Sequence, residues 1–233
     1  MNTFKHTLPA LLLAGMGFAS TASASLETRP GGMVYDTNLN ITWLQDANYA
    51  QTSGYDADGL MDWNTAMTWA ANLVYGGYDD WRLPTVSPIN GTSFQYGFSN
   101  NGSTDAGYGN TSPASELAYM YYVNLGNLGY CTPNGGGSGG CVAQPGWGLT
   151  NVGPFTNLQS SVYWSGTEFA PFPYAWDFNT GVGNPNLDYK NNAFYGWAVR
   201  SGDVAAVPLP AAVWLFGSAL SGVGMLAVRR RRG

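Results

Sequence analysis

Histidine is almost missing from this chain. Its one copy among 233 residues, His6, lies in a segment that reads as a removable export signal. The mature domain therefore offers no Ser-His-Asp triad, no Cys-His pair and no His-ligated zinc. Cysteine is nearly as scarce: Cys131 and Cys141 flank the loop Thr-Pro-Asn-Gly-Gly-Gly-Ser-Gly-Gly. In an oxidising compartment that arrangement reads as a disulfide closing the loop. A reactive thiol pair would need a cationic neighbour to lower its pKa, and none stands nearby in sequence. Basic residues are the third shortage. Apart from Lys5, Arg229, Arg230, Arg231 and Arg232 at the two ends, the basic residues are Arg29, Arg82, Lys190 and Arg200. They face fourteen acidic residues, a net charge near −10 for the intervening domain. No basic patch is left to displace counterions from phosphate, which excludes nucleic acid and disfavours sulfated polysaccharide.

What is abundant is glycine, with 32 copies, and aromatic side chains, at 15% of the chain. That mixture suits short strands joined by many ordered turns rather than disorder. Residues 25–206 make one domain by length, without a dividing linker or a repeat of 20 to 50 residues.

Both ends carry targeting patterns. Lys5, an apolar run over 8–18 and Ala22-Ser23-Ala24 read as a signal peptide, 1–24, cleaved between Ala24 and Ser25. The run is shorter than the ~20 residues of a spanning helix. Residues 209–228 are twenty without a charge, followed at once by the four arginines. A helix of that length crosses ~30 Å of hydrocarbon, and the arginines hold its end in the cytoplasm. The domain is thus expected outside the inner membrane. Val207-Pro208-Leu209-Pro210-Ala211, the apolar helix and the Arg cluster together resemble the VPLPA variant of the PEP-CTERM sorting signal. That resemblance implies processing by signal peptidase and exosortase, with the tail (207–233) removed near Pro208. It also implies transient residence in the inner membrane before arrival at the cell surface or extracellular matrix.

Within the domain, 33–36 and 41–44 read as strands around a polar turn. Asp62 caps a predicted helix over 63–74, with Trp63, Ala66, Met67, Ala70, Ala71 and Val74 at helical spacing and Gly76-Gly77 ending it. A second helix is predicted from Ser112, with Pro113 in its first turn, to about Asn124, where Leu117, Met120 and Tyr121 supply the apolar positions. Residues 86–111 read as a long surface loop. The runs 162–165, 174–178 and 196–200 are β-branched or aromatic and read as strands. Two helices followed by an antiparallel meander predict an α+β fold.

Three segments resemble the Lcl C-terminal domain family. They are Thr42-Trp43-Leu44 with the Trp63 helix; Gly77-Tyr78-Asp79-Asp80-Trp81-Arg82-Leu83-Pro84-Thr85; and Tyr163-Trp164-Ser165-Gly166-Thr167-Glu168, Ala175-Trp176-Asp177-Phe178-Asn179 and Ala198-Val199-Arg200. The resemblance implies a C-type-lectin-like fold and a theme of adhesion, including glycan binding. In such a fold Trp81, Leu83, Pro84, Trp164 and Trp176 are expected to be structural, with Arg82 in an ion pair or holding backbone carbonyls. Trp147 and Trp197 are the candidates for a sugar-stacking platform, since an indole face packs on flat apolar surfaces.

No metal or other cofactor is expected. Lectin-type calcium sites place a carboxylate beside proline and follow it with Trp-Asn-Asp, whereas here Trp176-Asp177 precedes Asn184-Pro185-Asn186. Asp56, Asp58 and Asp62 offer hard oxygens, but Gly59 stands at the fourth and not the sixth position of an EF-hand loop, and the segment reads as a solvated acidic turn. Catalysis would have to rest on carboxylates, as in glycoside hydrolysis, with Asp79, Asp80, Glu168 and Asp177 as candidates. The expectation is a non-catalytic binding module for extracellular polysaccharide or surface adhesion. The alternatives are a structural matrix or biofilm component without its own ligand and, last, a carboxylate-based glycan-active enzyme.

Overall fold

The computed structural model describes residues 26–133 and 140–204. The signal peptide with its Ala24–Ser25 cleavage point, the Val207, Pro208, Leu209 and Pro210 motif and the apolar segment 209–228 lie outside them. Among the described residues no helix is long and apolar enough to cross a membrane.

The described residues form an α+β arrangement with more strand than helix. Strands β1 (Leu26–Arg29), β2 (Met33–Asp36) and β3 (Ile41–Leu44) form an antiparallel meander, which β11 (Val199–Ser201) joins from the far end of the sequence. The register sets Val34, Trp43 and Val199 in one row across this sheet, and all three are fully buried. The second sheet runs in the order β4 (Leu60–Met61), β10 (Phe194–Tyr195), β7 (Val162–Phe169), β8 (Tyr174–Asn179), β9 (Asn184–Tyr189). Its β7–β8–β9 part is antiparallel, with a register shift between Trp164 and Glu168, while β10 lies parallel to β7. A small parallel pair, β5 (Phe98–Ser99) and β6 (Ala106–Gly107), breaks the long loop.

Helix α1 (Tyr49–Thr52) is one turn; α2 (Trp63–Ala71) is the longest helix described. Asp62 caps α2 by accepting from the Thr65 amide at 2.8 Å, and Trp63, Ala66, Trp69 and Ala70 are buried. The helix stops short of the predicted Val74, which is 72% exposed. Two groups end it early. Asn72 Nδ2 donates to the Thr68 carbonyl, and Tyr75 and Tyr78 exchange backbone hydrogen bonds around Gly76-Gly77. That turn takes both glycines at positive φ, so a helix cannot run into it.

Helix α3 (Glu116–Tyr119) also begins later than predicted and passes into a π turn, Met120–Asn124. The reason is pairing: Ser87 donates to the Ala114 carbonyl and Glu116 to that of Thr85, which holds 112–115 beside 85–87. Of the predicted strand over 196–200 only 199–200 is strand, in β11; residues 196–198 form the passage from β10 in one sheet to β11 in the other. At that crossing Gly196 lies so close to Trp69 that an added Cβ would stand 3.0 Å from the indole. Strand β9 went unpredicted because Pro185 breaks the pattern; an edge position in the sheet accommodates it.

The core is built largely from indole. Trp43, Trp164, Trp176 and Trp197 are each at most 1% exposed, and Trp81 is 3% exposed. Trp43 and Trp197 pack at 4.5 Å between ring centroids. Cys131 and Cys141 form a disulfide, and no described cysteine is free.

Candidate functional site

The segment from Tyr78 to Thr85 builds a clasp. Arg82 exchanges two 2.8 Å backbone hydrogen bonds with Val199, adding one bridge at the side of β11. The Arg82 guanidinium reaches Glu116 Oε2 at 2.7 Å and Oε1 at 2.8 Å, and also donates to the Leu83 carbonyl. Glu116 Oε2 accepts the Thr85 amide as well, at 2.7 Å. Next to Val199, Arg200 forms a two-point pair with Asp80 at 2.7 and 3.0 Å while its guanidinium stacks 3.9 Å from the Tyr78 ring centroid. That pairing holds the Asp80 carboxyl below the usual carboxylate range. Trp81, Leu83 and Pro84 are buried beneath. Asp80 is thereby tied up in the scaffold. Nothing in the sequence marks Glu116 as the partner of Arg82, 34 positions away.

Asp177 sits in the wall of the second sheet, 1% exposed, opposite Trp164 on one side and Asn186 on the other. Burial pushes its carboxyl well above the usual carboxylate range, and Asp188 nearby pushes it the same way. A group so enclosed does not reach a polymeric substrate. Asp56 and Asp58 turn their oxygens inward to loop amides: Asp56 accepts from Asp58 and Gly59, and Asp58 accepts from Leu60. Among the described residues no group of three or more His, Cys, Asp or Glu side chains is arranged to hold a metal ion.

The two tryptophans named for sugar stacking part company. Trp197 is buried among Trp43, Phe155 and Tyr163, with its Nε1 donating to the Leu44 carbonyl at 2.8 Å. It has no face to offer, which corrects that expectation: the run read as a strand is the crossing between the two sheets, and the crossing turns the indole into the core. Trp147 is 42% exposed and stands edge-on to Tyr130 at 4.9 Å. Its bridge partner Leu128 lines a cavity of about 250 Å³ with Tyr122, Asn127, Cys131 and Gln144.

A larger cleft, about 610 Å³ and open to solvent, lies where the β7–β8 turn, the end of β9 and the start of α2 meet. Two backbone bonds knit these three segments: Lys190 donates to the Pro173 carbonyl and Trp63 donates to the Lys190 carbonyl. Phe172 and Tyr189 line the cleft, each 51% exposed. Phe172 is backed by Phe169, nearly parallel at 5.1 Å, and Tyr189 by Tyr174 at 4.4 Å. Asp62, Asn64, Glu168 and Asn191 supply polar groups around them. The ammonium of Lys190 is bonded to Glu168 and lies 4.5 Å from the Trp63 ring centroid. The cleft therefore combines rigid aromatic faces with amide and carboxylate oxygens, the means of holding a ligand that is apolar on one side and hydroxylated on the other. As a candidate for chemistry, only Glu168 of this lining stands out in the sequence.

Every basic side chain among the described residues is ion-paired: Arg29 with Glu27 and Asp203, Arg82 with Glu116, Lys190 with Glu168, Arg200 with Asp80.

The sequence model of the Lcl C-terminal domain matches residues 32–200. The chain belongs to that family. The match runs from β2 into β11 and so takes in both sheets, the clasp and the cleft. Membership in the Lcl C-terminal domain family and the disulfide are both consistent with an exported protein. No curated protein and no solved structure is significantly similar to the chain.

Proposed function

We propose that this protein is an exported, non-catalytic binding module that takes extracellular polysaccharide in the Phe172–Tyr189 cleft. The observation that carries the reading is the pair of half-exposed rings, each held in place by a second ring, beside Asn64, Asn191, Asp62 and Glu168. Rings fixed in advance lose little conformational freedom on binding, so their contact area is converted to affinity at low cost. The family match, the lectin-like resemblance of the motifs and the signal-peptide pattern support an extracellular setting for such a ligand. The VPLPA-type tail supports sorting by exosortase to the cell surface or matrix after passage through the inner membrane. Against an enzyme stand the burial of Asp177 and the pairing of Asp80 with Arg200, and within the cleft the pairing of Glu168 with Lys190, which leaves Asp62 as the one carboxylate of its lining outside an ion pair. Retention of the mature domain on immobilised polysaccharides tests the proposal. Binding to at least one glycan without turnover is the expected result; no retention on any glycan would sink it.

A further inference from the structure

The lining of the cleft holds one cation, Lys190, and Glu168 occupies it. Three features keep that ammonium where it is. The Lys190 backbone is bonded on both sides, through its amide to Pro173 and through its carbonyl to Trp63. Its stem is largely covered, with the side chain 19% exposed, whereas that of Glu168 is 47% exposed. Its head sits over the Trp63 indole, whose own Nε1 is fixed to the Ser165 carbonyl at 2.8 Å. The lysine is thus the fixed member of the pair and the glutamate the accessible one. With Asp62 also in the lining, the cleft as built presents a net negative charge.

We infer that Glu168 is a specificity-determining residue that sets the charge class of the ligand: by occupying Lys190 it makes the cleft a site for glycans without acidic groups, neutral or amine-bearing. The inference rests on the reading of this cleft as a polysaccharide site. An acidic sugar entering the cleft would have to share the one ammonium in the lining with the Glu168 carboxylate or displace it, and either way two carboxylates would stand beside each other. Like charges at that range cost several-fold in affinity even in a partly hydrated site. A hydroxyl or ammonium group, by contrast, can donate to the exposed Glu168 carboxylate and leave the pair in place. The overall charge of the domain acts in the same direction at longer range, though salt damps that part within about 8 Å at physiological ionic strength.

The test uses the mature domain with a panel of neutral β-glucan, partly deacetylated chitin oligomers and polygalacturonate, measured by affinity electrophoresis and titration. The non-acidic polymers should bind at least about tenfold more tightly than polygalacturonate. Glu168→Gln should raise affinity for polygalacturonate about tenfold by releasing the ammonium to form one charge-assisted hydrogen bond with the ligand. The double variant Glu168→Gln/Lys190→Met should lose that increase, which ties it to the lysine rather than to a general change in charge. Tighter binding of polygalacturonate than of the neutral polymer by the unaltered protein, or no increase from Glu168→Gln, would overturn the inference while leaving the cleft a glycan site. Absence of binding to every polymer would overturn both.

Discussion

Removing the Glu116 carboxylate should loosen the whole domain, although Glu116 belongs to no cleft. It accepts three short hydrogen bonds, two from Arg82 and one from the Thr85 amide, and its side chain is 11% exposed. Arg82 is 33% exposed at the side chain, so after Glu116→Ala water can reach part of the guanidinium but not the Thr85 amide on equal terms. Breaking a buried pair by removing one partner costs about 3–5 kcal/mol. Partial access to water places this case near the lower end, about 3 kcal/mol. For a domain of this size ~1 kcal/mol moves the melting temperature by about 2–4 °C, so the fall should be about 6–12 °C. Urea unfolding of the mature domain gives the free energy directly, and the m-value should stay constant if the native fold is retained. A double-mutant cycle with Arg82→Met isolates the pair, with an expected coupling of about 2 kcal/mol. The surface pair Arg29–Glu27 serves as the comparison: Glu27→Ala should cost less than about 1 kcal/mol. If Glu116→Ala costs no more than Glu27→Ala, the clasp does not hold the 78–85 segment to α3 as described.

Asp177→Asn should change how stability depends on pH. Burial and Asp188 keep the Asp177 proton bound in the folded state above the ~3.9 of an unfolded aspartate, so stability falls as pH rises through that window, by up to ~1.4 kcal/mol per unit. The variant should lack this fall and be the more stable protein near pH 7; parallel curves for the two would contradict it. Asp80 and Asp203, held low by Arg200 and Arg29, contribute the opposite slope at acid pH but do so in both proteins and cancel in the difference. Replacing both Cys131 and Cys141 by alanine frees a loop with a sequence separation of 10 and should cost about 2–3 kcal/mol in urea unfolding. Trp197→Ala should cost about 3–5 kcal/mol and Trp147→Ala less than about 1 kcal/mol by the same assay, since one ring is enclosed and the other stands in solvent.

The fold class is readable from sequence because its signals are local. Asp62 and the spacing of Trp63, Ala66 and Ala70 define a helix start whatever surrounds it, and the aromatic runs at 162–165 and 174–178 define strands. The helix ends are not readable, because pairings between segments decide them: Tyr75 with Tyr78 for the first helix, 85–87 with 112–115 for the second. Arg82 is recognisable as a structural cation, but Glu116 as its partner is not, for the same reason. The cleft is hardest to foresee. Phe172 and Tyr189 lie in turn-like stretches with no motif of their own, and it is the β7–β8 and β8–β9 registers that bring them to α2. Of the lining, the sequence singles out Asp62 as a helix cap and Glu168 as a candidate carboxylate, and neither marks the two rings. Trp197 is misplaced as a stacking platform because a strand pattern does not say which face of the strand is covered; its partners Trp43, Phe155 and Tyr163 come from distant segments, and only the packing decides.

The central claim is that the Phe172–Tyr189 cleft binds polysaccharide, and one measurement addresses it most directly. The mature domain and its Phe172→Ala/Tyr189→Ala variant are titrated with the polysaccharide that the unaltered domain retains best. Both rings are half exposed, so the variant should unfold within about 1 kcal/mol of the parent. If each ring contributes ~1 kcal/mol to binding, affinity should fall by about tenfold or more. Equal affinity in the parent and a folded variant would contradict the claim and move the search for the site to the exposed face of Trp147.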